Sequence, residues 1–450
     1  MDKQNFLLLV ISEKMAKKIV FIFVIFVCFC FLNRICFGET LNDAWEIAIQ
    51  ASRQLEARRA GTAAAEAGLD AASAARMPKI TNTTAYTALS DRPEYVVDFP
   101  GISQVGIPGM SFNTPLLDKD FVVSTTQVIV PLYMGGKISS LMEQAQARIR
   151  AAESGEITEL QELKINVAEN YFLVLRLQGL IEVLQDSETA ISAHEKNVTK
   201  MLESGLVTRN AYLAAQVAHA DVQQKLIQAQ NMLHVAEAAY NRYLWRPLDT
   251  PVKLQAENIP TAADSLENCV LQALSSRSEL RQLTAESQAV FAQAKEHRAA
   301  RFPHVAAMAG YTYIQNESLT ENNYFNGTVG MVWTPFDGGV SRSRQRSSEM
   351  QATAILKMRE ELKSAIQLEV RKNWLEEKDS RQRVEVAQKA IEQAEENLRV
   401  VDRQFREGLV THTEVLDAVA LYTQARTNYC NAAYDAILAT YRLRRAAGQL

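Results

Sequence analysis

The sequence predicts a mainly α-helical protein with a membrane β-sheet, built from a helix–hairpin–helix unit that occurs twice in the chain. Glycine and proline are scarce, with 18 and 11 among 450 residues, while the helix-forming residues Ala, Leu, Gln and Glu are abundant. The tetrapeptide Gly-Leu-Val-Thr occurs at 205–208 and again at 408–411, and each copy begins 69 residues after a Gly-Gly pair. A period of 203 residues indicates a duplicated domain rather than a solenoid.

Residues 1–38 are predicted to be a signal peptide. Three lysines between positions 14 and 18 precede an apolar run at 19–32, and Gly38 is a small residue suited to cleavage. The run has 14 residues, whereas a helix that crosses a bilayer needs about 20. A membrane anchor helix is the alternative interpretation, and Met15 is an alternative start that would give a compact basic segment.

Three of the five cysteines lie in or beside this segment. Lipidation of Cys36 is an alternative that the bulky Ile35 before it disfavours. Cys269 and Cys430 remain in the mature chain, and they are predicted to be packed thiols, with a disulfide as the alternative.

The mature chain divides into two structural repeats joined by a linker. The first repeat covers 39–245, the linker covers 246–263 and contains three prolines, and the second repeat covers 264–450. Each repeat is predicted to run helix, strand, loop, strand, long helix, turn, long helix. The predicted strands are about 79–91, 119–131, 303–315 and 324–334, and the predicted long helices are 137–204, 209–244, 340–407 and 412–447.

The long helices carry apolar residues at alternating spacings of three and four, which predicts lengthwise helix pairing. Only Asn170 breaks this series between Leu160 and Leu184. A second series, from Val222 to Tyr243, is followed by an equally apolar one 203 residues later. Residues 137–204 would extend about 100 Å as one helix, which is longer than a globular core requires. An ordinary helical bundle with a hidden break is the alternative.

The strand candidates alternate in polarity with a period of two, and aromatic residues lie near their ends, which is typical of membrane β-barrel strands. Four strands cannot close a barrel, and lipid does not tolerate open sheet edges, so neighbouring chains would have to supply the rest. Three copies would give twelve strands. Two β-hairpins on a soluble surface are the alternative. The lipid-facing candidates are Phe325, Val329, Met331, Trp333, Tyr311 and Tyr313.

The repeated motifs resemble those of the TolC-like outer-membrane efflux and secretion channels. The shared features are a Pro-led Gly-Gly entry into each long helix, at 131–136 and 335–339, and the Gly-Leu-Val-Thr turns. The resemblance covers essentially all of the mature chain. It implies a homotrimer in which a twelve-stranded β-barrel in the outer membrane of a Gram-negative-type cell is continuous with a twelve-helix periplasmic α-barrel.

The same resemblance implies a passive exit duct for small molecules or polypeptides. The duct would be the outer-membrane component of a tripartite efflux pump or a type I secretion system. Its partners would be a periplasmic adaptor protein, an inner-membrane pump or ABC transporter, and outer-membrane lipid. It would need no cofactor and would not be an enzyme. The tip turns expected to contact the adaptor are Gly205, Leu206, Val207, Thr208, Gly408, Leu409, Val410 and Thr411.

The resemblance also places Glu414 and Asp417 at the entrance constriction, where threefold symmetry would form acidic rings that favour cations. Thr411 and Glu414 also have capping-box spacing, so Glu414 is expected to cap its helix. Some members of the family carry an arginine in the second tip turn and an acid in the first. Val410 and Ala211 stand there in this chain, and Arg209 is the alternative partner for the entrance acids.

The sequence contains no constellation that indicates an enzyme. The Gly-Gly-Lys at 135–137 lacks the following Ser/Thr and the earlier glycine of a phosphate-binding loop. A net charge of −4 without a basic face excludes a nucleic-acid partner. His194, His219, His234 and His297 are expected on solvated or lumen-facing helix surfaces. The chemistry of the cargo is left open.

Three further features stay open at this level. A secreted coiled-coil adaptor or structural protein without a barrel is the rival function, and the paired strand candidates argue against it. The long loop between the first two strands is an extracellular loop or a disordered segment. Three arginines at 342, 344 and 346 could form a solvated patch, reach lipid phosphates, line the lumen or pair with a neighbouring chain.

Overall fold

A computed structural model describes residues 38–100, 109–261, 264–317 and 319–450. The predicted signal peptide therefore lies, apart from Gly38, outside the described residues. The chain forms two compact units. The helical unit comprises the described residues up to Ser52, Gln161–Cys269 and Val370–Leu450, and the sheet unit comprises Arg53–Leu160 and Val270–Glu369.

The helices and strands follow one another in an order that repeats in the two halves. In chain order they are α1 (Leu41–Ala51), α2 (Arg53–Ala74), β1 (Lys79–Ala88), β2 (Glu94–Phe99), β3 (Met110–Pro115), β4 (Asp120–Tyr133), α3 (Lys137–Glu203), α4 (Arg209–Tyr243), α5 (Leu266–Ser276), α6 (Ser278–Ala299), β5 (His304–Gln315), β6 (Asn323–Val332), α7 (Val340–Arg406) and α8 (His412–Ala446). Helices α3 and α7 have 67 residues each, and α4 and α8 have 35 each. The two halves therefore repeat the same pair of helix lengths.

The helix that precedes each strand pair is interrupted once. Ser52 separates α1 from α2 in an extended conformation, and Arg277 separates α5 from α6. The Arg277 side chain is buried and forms ion pairs with Glu279 at 3.0 Å and Glu369 at 3.1 Å. Carboxylates on two sides compensate for the burial of the guanidinium.

Four strands of the sheet unit form one antiparallel sheet in the order β1-β4-β5-β6. Neighbouring strands in this order are hydrogen-bonded, so β1 and β6 are its two edge strands. Between β4 and β5 the register shifts between Pro131 and Tyr133. The sheet places alternate residues of each strand on opposite faces.

A separate hairpin occupies the loop that connects β1 to β4. Strand β2 pairs with β3, and the rings of Phe99 and Phe112 meet edge to face at 6.0 Å. No strands are predicted here from the sequence pattern. Alternation is weak in six-residue strands, and cross-strand aromatic pairing is a contact that only the folded hairpin creates. Residues 101–108 of this loop lie outside the described part of the chain.

The core of the helical unit lies where α1 and the linker pack against α3, α4 and α8. Tyr171 is fully buried, and its hydroxyl donates to the carbonyl oxygens of Glu39 at 2.9 Å and Gln255 at 2.6 Å. Arg246 in the linker donates to both carboxylate oxygens of Glu39, at 2.9 and 2.7 Å. These bonds fix the linker to the start of the mature chain within this unit.

The apolar seams of the long helices face inward. Val167, Val174 and Leu177 of the first series are buried, and so are Val222 and Ala229 of the second. None of the seam residues is classed as exposed. Within the described residues, no helix combines the length and apolar character needed to cross a membrane.

Candidate functional site

Each Gly-Leu-Val-Thr segment forms a tight turn between two long helices of the helical unit. Gly205 and Gly408 have φ angles of 71° and 75°, in the left-handed region that favours glycine. The Leu206 N–H donates to the Met201 carbonyl at 2.8 Å, and the Leu409 N–H donates to the Gln404 carbonyl at 2.9 Å. These bonds close the helix end as a Schellman motif, which explains why glycine stands at this position in both copies.

The two turns share one small hydrophobic cluster. Val198, Ala211, Phe405 and Val415 are buried in it, and further hydrophobic residues of both helix pairs pack around them. Among those partly buried residues are Val207 and Val410, one from each turn. The neighbouring leucines, Leu206 and Leu409, are instead 71% and 69% exposed. Each turn therefore contributes one apolar side chain to the interior and leaves one in contact with water.

The threonine that closes each turn begins the next helix. The Thr208 hydroxyl accepts the Ala211 N–H at 3.4 Å. At the second turn the Glu414 carboxylate accepts the N–H of Thr411 at 3.2 Å and its hydroxyl at 3.1 Å. Glu414 thus satisfies a backbone donor that the helix start would leave free, as in a capping box.

Asp417 is exposed and lies three residues, nearly one turn, beyond Glu414 on α8. Its side chain borders a cavity of about 560 Å³ within the helical unit. The cavity floor is apolar and includes Ile191 of α3 and Val222 of α4, and its rim carries Asp221 in an ion pair with Lys225 at 2.8 Å. Asp417 is therefore placed beside open space rather than in a packed contact.

Arg209 is exposed at the start of α4. In the part of a single chain that the structure describes, Arg209 forms no ion pair with Glu414 or Asp417. The geometry brings Glu414 to Thr411 and brings Val207 together with Val410, but it does not bring Arg209 to the entrance acids. A lock through Arg209 would need a second chain and remains a prediction.

His194 is buried, so the prediction of a solvated or lumen-facing position was wrong for this residue. Only 5% of it is exposed, and its ring lies 5.0 Å from the Phe405 ring. Its Nε2 atom has no hydrogen-bond partner among the described residues. Burial lowers the pKa of His194, nearby His412 lowers it further, and Asp402 opposes the shift.

A signal for this burial was present in the sequence. Ile191, His194, Val198 and Met201 continue the apolar seam of α3 at spacings of three, four and three. Extending the seam beyond Leu184 would have assigned His194 to the packed face.

His219 lies between two carboxylates and joins α4 to α3. Its Nε2 is 3.0 Å from Glu188 and its Nδ1 is 2.6 Å from Glu195. The hydrogen bond with Glu188 and then that with Glu195 raise the pKa of His219, because both stabilise the protonated ring.

The register of the sheet brings most of the lipid-facing candidates onto one face. Phe325 is opposite Tyr311, and Tyr313 and Val329 follow at alternate positions on the same two strands. Met331 also belongs to this face, and Trp333 follows β6 directly. The other face is mixed, since apolar residues such as Val123, Ile129 and Met308 lie among its polar ones. The polar residues of this face include Thr81, Thr83, Thr125, Gln127, Thr312, Asn326 and Thr328.

Cysteines and possible metal ligands contribute nothing to this site. Cys269 and Cys430 are both free, and Cys269 is buried, which confirms the prediction of packed thiols. The described residues contain no group of three or more His, Cys, Asp or Glu side chains arranged to hold a metal ion.

Comparison with known proteins identifies the family. The family model described as outer membrane efflux protein matches residues 45–244 and 270–449. The chain belongs to the outer membrane efflux protein family. It is 23% identical over 428 residues to the outer membrane protein TolC of Vibrio cholerae serotype O1, with 93% of each chain covered.

Solved outer-membrane channels have the same fold as this efflux protein. The channel OprN has a TM-score of 0.76 at 18% identity, with 91% of this chain and 90% of that one covered. VceC from Vibrio cholerae has a TM-score of 0.75 at 18% identity, with 91% and 96% covered. CusC has a TM-score of 0.76 at 16% identity, with 91% and 92% covered.

The protein is therefore an outer-membrane efflux channel and not an enzyme. It is mainly helical, as predicted, and it lies in the outer membrane and extends into the periplasm. The rival reading, an adaptor without a barrel, is not favoured by these relationships.

Proposed function

We propose that three copies of this chain close a twelve-stranded barrel in the outer membrane and a twelve-helix tunnel in the periplasm. The observation that carries the proposal is that, among the described strands, β1 and β6 each have one edge without a partner. A sheet that faces lipid cannot leave its edge N–H and C=O groups unpaired. Because β1 and β6 run antiparallel to each other in the four-stranded order, β6 of one chain can pair with β1 of the next.

The two faces of the sheet support this arrangement. Phe325, Val329 and Met331 are among the most exposed apolar side chains of the chain, and they share a face with Tyr311 and Tyr313. In a closed barrel that face would be covered by lipid, and the opposite face, which includes Thr83, Thr125 and Thr312, would surround water.

The entrance of the tunnel is assigned to the two Gly-Leu-Val-Thr turns. Asp417, exposed beside a cavity, would form an acidic ring with its two symmetry copies, and Glu414 would hold the helix start beside it. Exposed Leu206 and Leu409 would contact the periplasmic adaptor, with the other turn residues shaping the surface. Arg209 would contribute to the closed state only through a neighbouring chain.

The repeats at 39–245 and 264–450 would each supply two strands and two long helices to this wall. The linker at 246–263, bound to Glu39 and Tyr171, would form a belt around the tunnel. Cargo would pass unchanged from an inner-membrane pump or ABC transporter to the outside. Small molecules are favoured as cargo over polypeptides because the matching family is named for efflux.

Cysteine cross-linking across the proposed chain boundary tests this assembly. In a background with Cys269 and Cys430 replaced by Ala, Thr83→Cys on β1 is combined with Asn326→Cys, Thr328→Cys or Gly330→Cys on β6. Oxidation of outer membranes is expected to give covalent dimers and trimers for at least one combination. Thr125→Cys with Thr312→Cys joins β4 to β5 within a chain and serves as the control, which should stay monomeric in denaturing gels. Monomers from every β1–β6 combination would refute the closed barrel.

A further inference from the structure

Charge is distributed unequally between the two ends of the four-stranded sheet. At the end where the helices begin, the segments 75–80, 131–137, 298–304 and 333–346 contain eight Lys or Arg and one Asp. At the opposite end, the segments 89–100, 109–120 and 316–323 contain seven Asp or Glu and two Lys or Arg. The register places these segments at opposite ends because Lys79 and Val332 lie near one end, and Ala88 and Asn323 near the other.

Three exposed arginines concentrate the positive charge at the start of α7. These are Arg342, Arg344 and Arg346. Within the described residues, none of them forms an ion pair with a carboxylate. A basic side chain in the first turn of a helix, as at Arg342, is disfavoured by the helix dipole. Two acids lie nearby in the sequence. Asp337 accepts the Gly339 and Ser341 N–H groups at 3.0 and 2.8 Å, and Glu349 accepts from the Gln345 side chain at 2.7 Å. In the part of the chain that the structure describes, the charge of these three arginines is therefore not neutralised by an ion pair.

Two exposed aromatic side chains precede these arginines in the sequence. Phe336 is 83% exposed and Trp333 is 53% exposed. The Trp333 Nε1 donates to the Arg301 carbonyl at 3.2 Å, and the Arg301 guanidinium donates to Gln345 at 2.5 Å. The strand end, the end of α6 and the first turns of α7 are thus joined within the sheet unit. Aromatic residues next to basic ones are characteristic of the boundary between hydrocarbon and headgroups.

We propose that Arg342, Arg344 and Arg346, with Trp333 and Phe336, form a collar that binds the phosphate groups of anionic phospholipids in the periplasmic leaflet of the outer membrane. Clustered arginines near a membrane surface attract anionic lipid, and guanidinium groups bind phosphate through paired hydrogen bonds. The acidic opposite end would repel the same headgroups, so the collar also favours one orientation of the sheet. This inference rests on the proposed lipid-embedded barrel.

Lipid retention by the purified channel tests the collar. Full-length mature protein extracted in neutral detergent is equilibrated with equal amounts of phosphatidylglycerol and phosphatidylcholine and then separated by gel filtration. The retained lipids are quantified by mass spectrometry. The native protein is expected to enrich phosphatidylglycerol about fivefold or more, and the enrichment should fall as NaCl is raised from about 0.05 to 0.5 M because salt screens the attraction.

A triple variant and a matched control give the decisive comparison. Arg342→Gln/Arg344→Gln/Arg346→Gln should bring the lipid ratio close to one. Arg371→Gln/Lys372→Gln/Lys389→Gln removes the same charge from exposed positions of the same helix and should keep the native ratio. Native enrichment in the first variant, or no enrichment in the unmodified protein, would overturn the proposal.

Two other outcomes distinguish failure of the collar from failure of the proposed barrel. If the first variant lowers the temperature at which the trimer dissociates in lipid-free detergent but keeps the native lipid ratio, the arginines bind a neighbouring chain and the collar is refuted. If the protein stays monomeric and retains neither lipid, the barrel on which the collar rests is refuted instead.

Discussion

Two acids near the start of α8 are held differently although they lie only three positions apart. Glu414 accepts two hydrogen bonds from Thr411, so its carboxylate is committed to the helix start. Asp417 borders the cavity and is exposed. The sequence presented both as entrance acids, and the structure makes Asp417 the better candidate for contact with passing ions.

Replacement of Asp417 by Ala is expected to raise the ion conductance of the resting channel, because the shorter side chain leaves a wider entrance. It is also expected to lower the preference for cations, because the acidic ring is lost. A carboxylate about 6 Å from an ion in water contributes about 0.7 kcal/mol. The loss of three such carboxylates from the trimer should change the selectivity for cations over anions severalfold, even after screening by salt. Planar-bilayer recordings with a salt gradient measure both quantities.

The control for this experiment is Glu414→Gln, which keeps an oxygen acceptor for Thr411. It should preserve the cap and have the smaller effect on selectivity. Conductance and selectivity that stay unchanged in the Asp417 variant would remove Asp417 from the pore.

His194 is expected to make the packing at the tip sensitive to acid. Its folded pKa is lowered, mainly by burial, whereas an unfolded histidine titrates near 6.5. At a pH between the folded and the unfolded pKa, His194 is protonated more often when the tip is unpacked than when it is packed. The packing is therefore most stable above about pH 6.5 and becomes less stable as the pH falls. Protonation would also place charge beside His412 and Phe405.

Amide hydrogen exchange, corrected for intrinsic rates, measures this effect at the tip turns. Faster exchange is expected at pH 5.5 than at pH 7.5 in the native protein, and a smaller difference in His194→Leu. His234→Gln is the control because His234 is largely exposed. An equal pH effect in the His194 variant would contradict the assignment.

The pH dependence that His219 gives to stability is opposite to that of His194. Hydrogen exchange must therefore be measured at the amides of the tip turns and not averaged over the protein. Its raised pKa means that its bonds to Glu188 and Glu195 are fully present below about pH 6.5 and are lost as the pH rises through the folded value. Global stability would combine both histidines, whereas exchange at the tip turns reports mainly His194.

At the scale of elements, the turns depend on a backbone conformation that few residues other than glycine adopt. Gly408→Ala is expected to lower the free energy of unfolding by about 1–2 kcal/mol, since an added Cβ in the left-handed region is strained although no atom lies within 4 Å of it. Urea unfolding followed by circular dichroism provides the measurement.

Gly61→Ala is the matched control because Gly61 also has open space around its Cβ position but lies inside helix α2. It should raise stability by up to about 1 kcal/mol. Shifts of the same sign in both variants would show that the φ angle of Gly408 does not matter.

Long helices and the tip turns could be predicted from the sequence because their signals are local. The predicted helix at 137–204 compares with an observed Lys137–Glu203, since both the apolar period and the following Gly205 were visible. Hairpin β2–β3 could not be predicted in the same way, because its two strands of six residues each are defined by pairing rather than by a long periodic pattern.

At the scale of the whole molecule, the exposed leucines of the turns are expected to matter only in the assembled pump. Leu206→Ser/Leu409→Ser should reduce efflux in cells severalfold, because loss of two buried apolar contacts weakens adaptor binding by about 1.5–3 kcal/mol for each leucine. Trimer yield and bilayer conductance should stay normal, since substitutions of exposed residues change stability by only about 0.5 kcal/mol.

Leu248→Ser provides the control, because Leu248 is an exposed leucine in the linker and not in a tip turn. It should leave efflux intact. Normal efflux in the double variant would exclude the leucines from the adaptor contact.

The sequence alone determined the duplication, the mainly helical class, the turn positions and the family, because repeats, apolar periods and glycine placement are encoded within short windows. Only the tertiary structure decided that His194 is buried against Phe405. It also decided that, among the described residues, β1 and β6 are the free edges and Arg209 forms no ion pair with an entrance acid. Those features depend on which distant segments meet, and a periodic pattern on one helix or strand does not specify its neighbour.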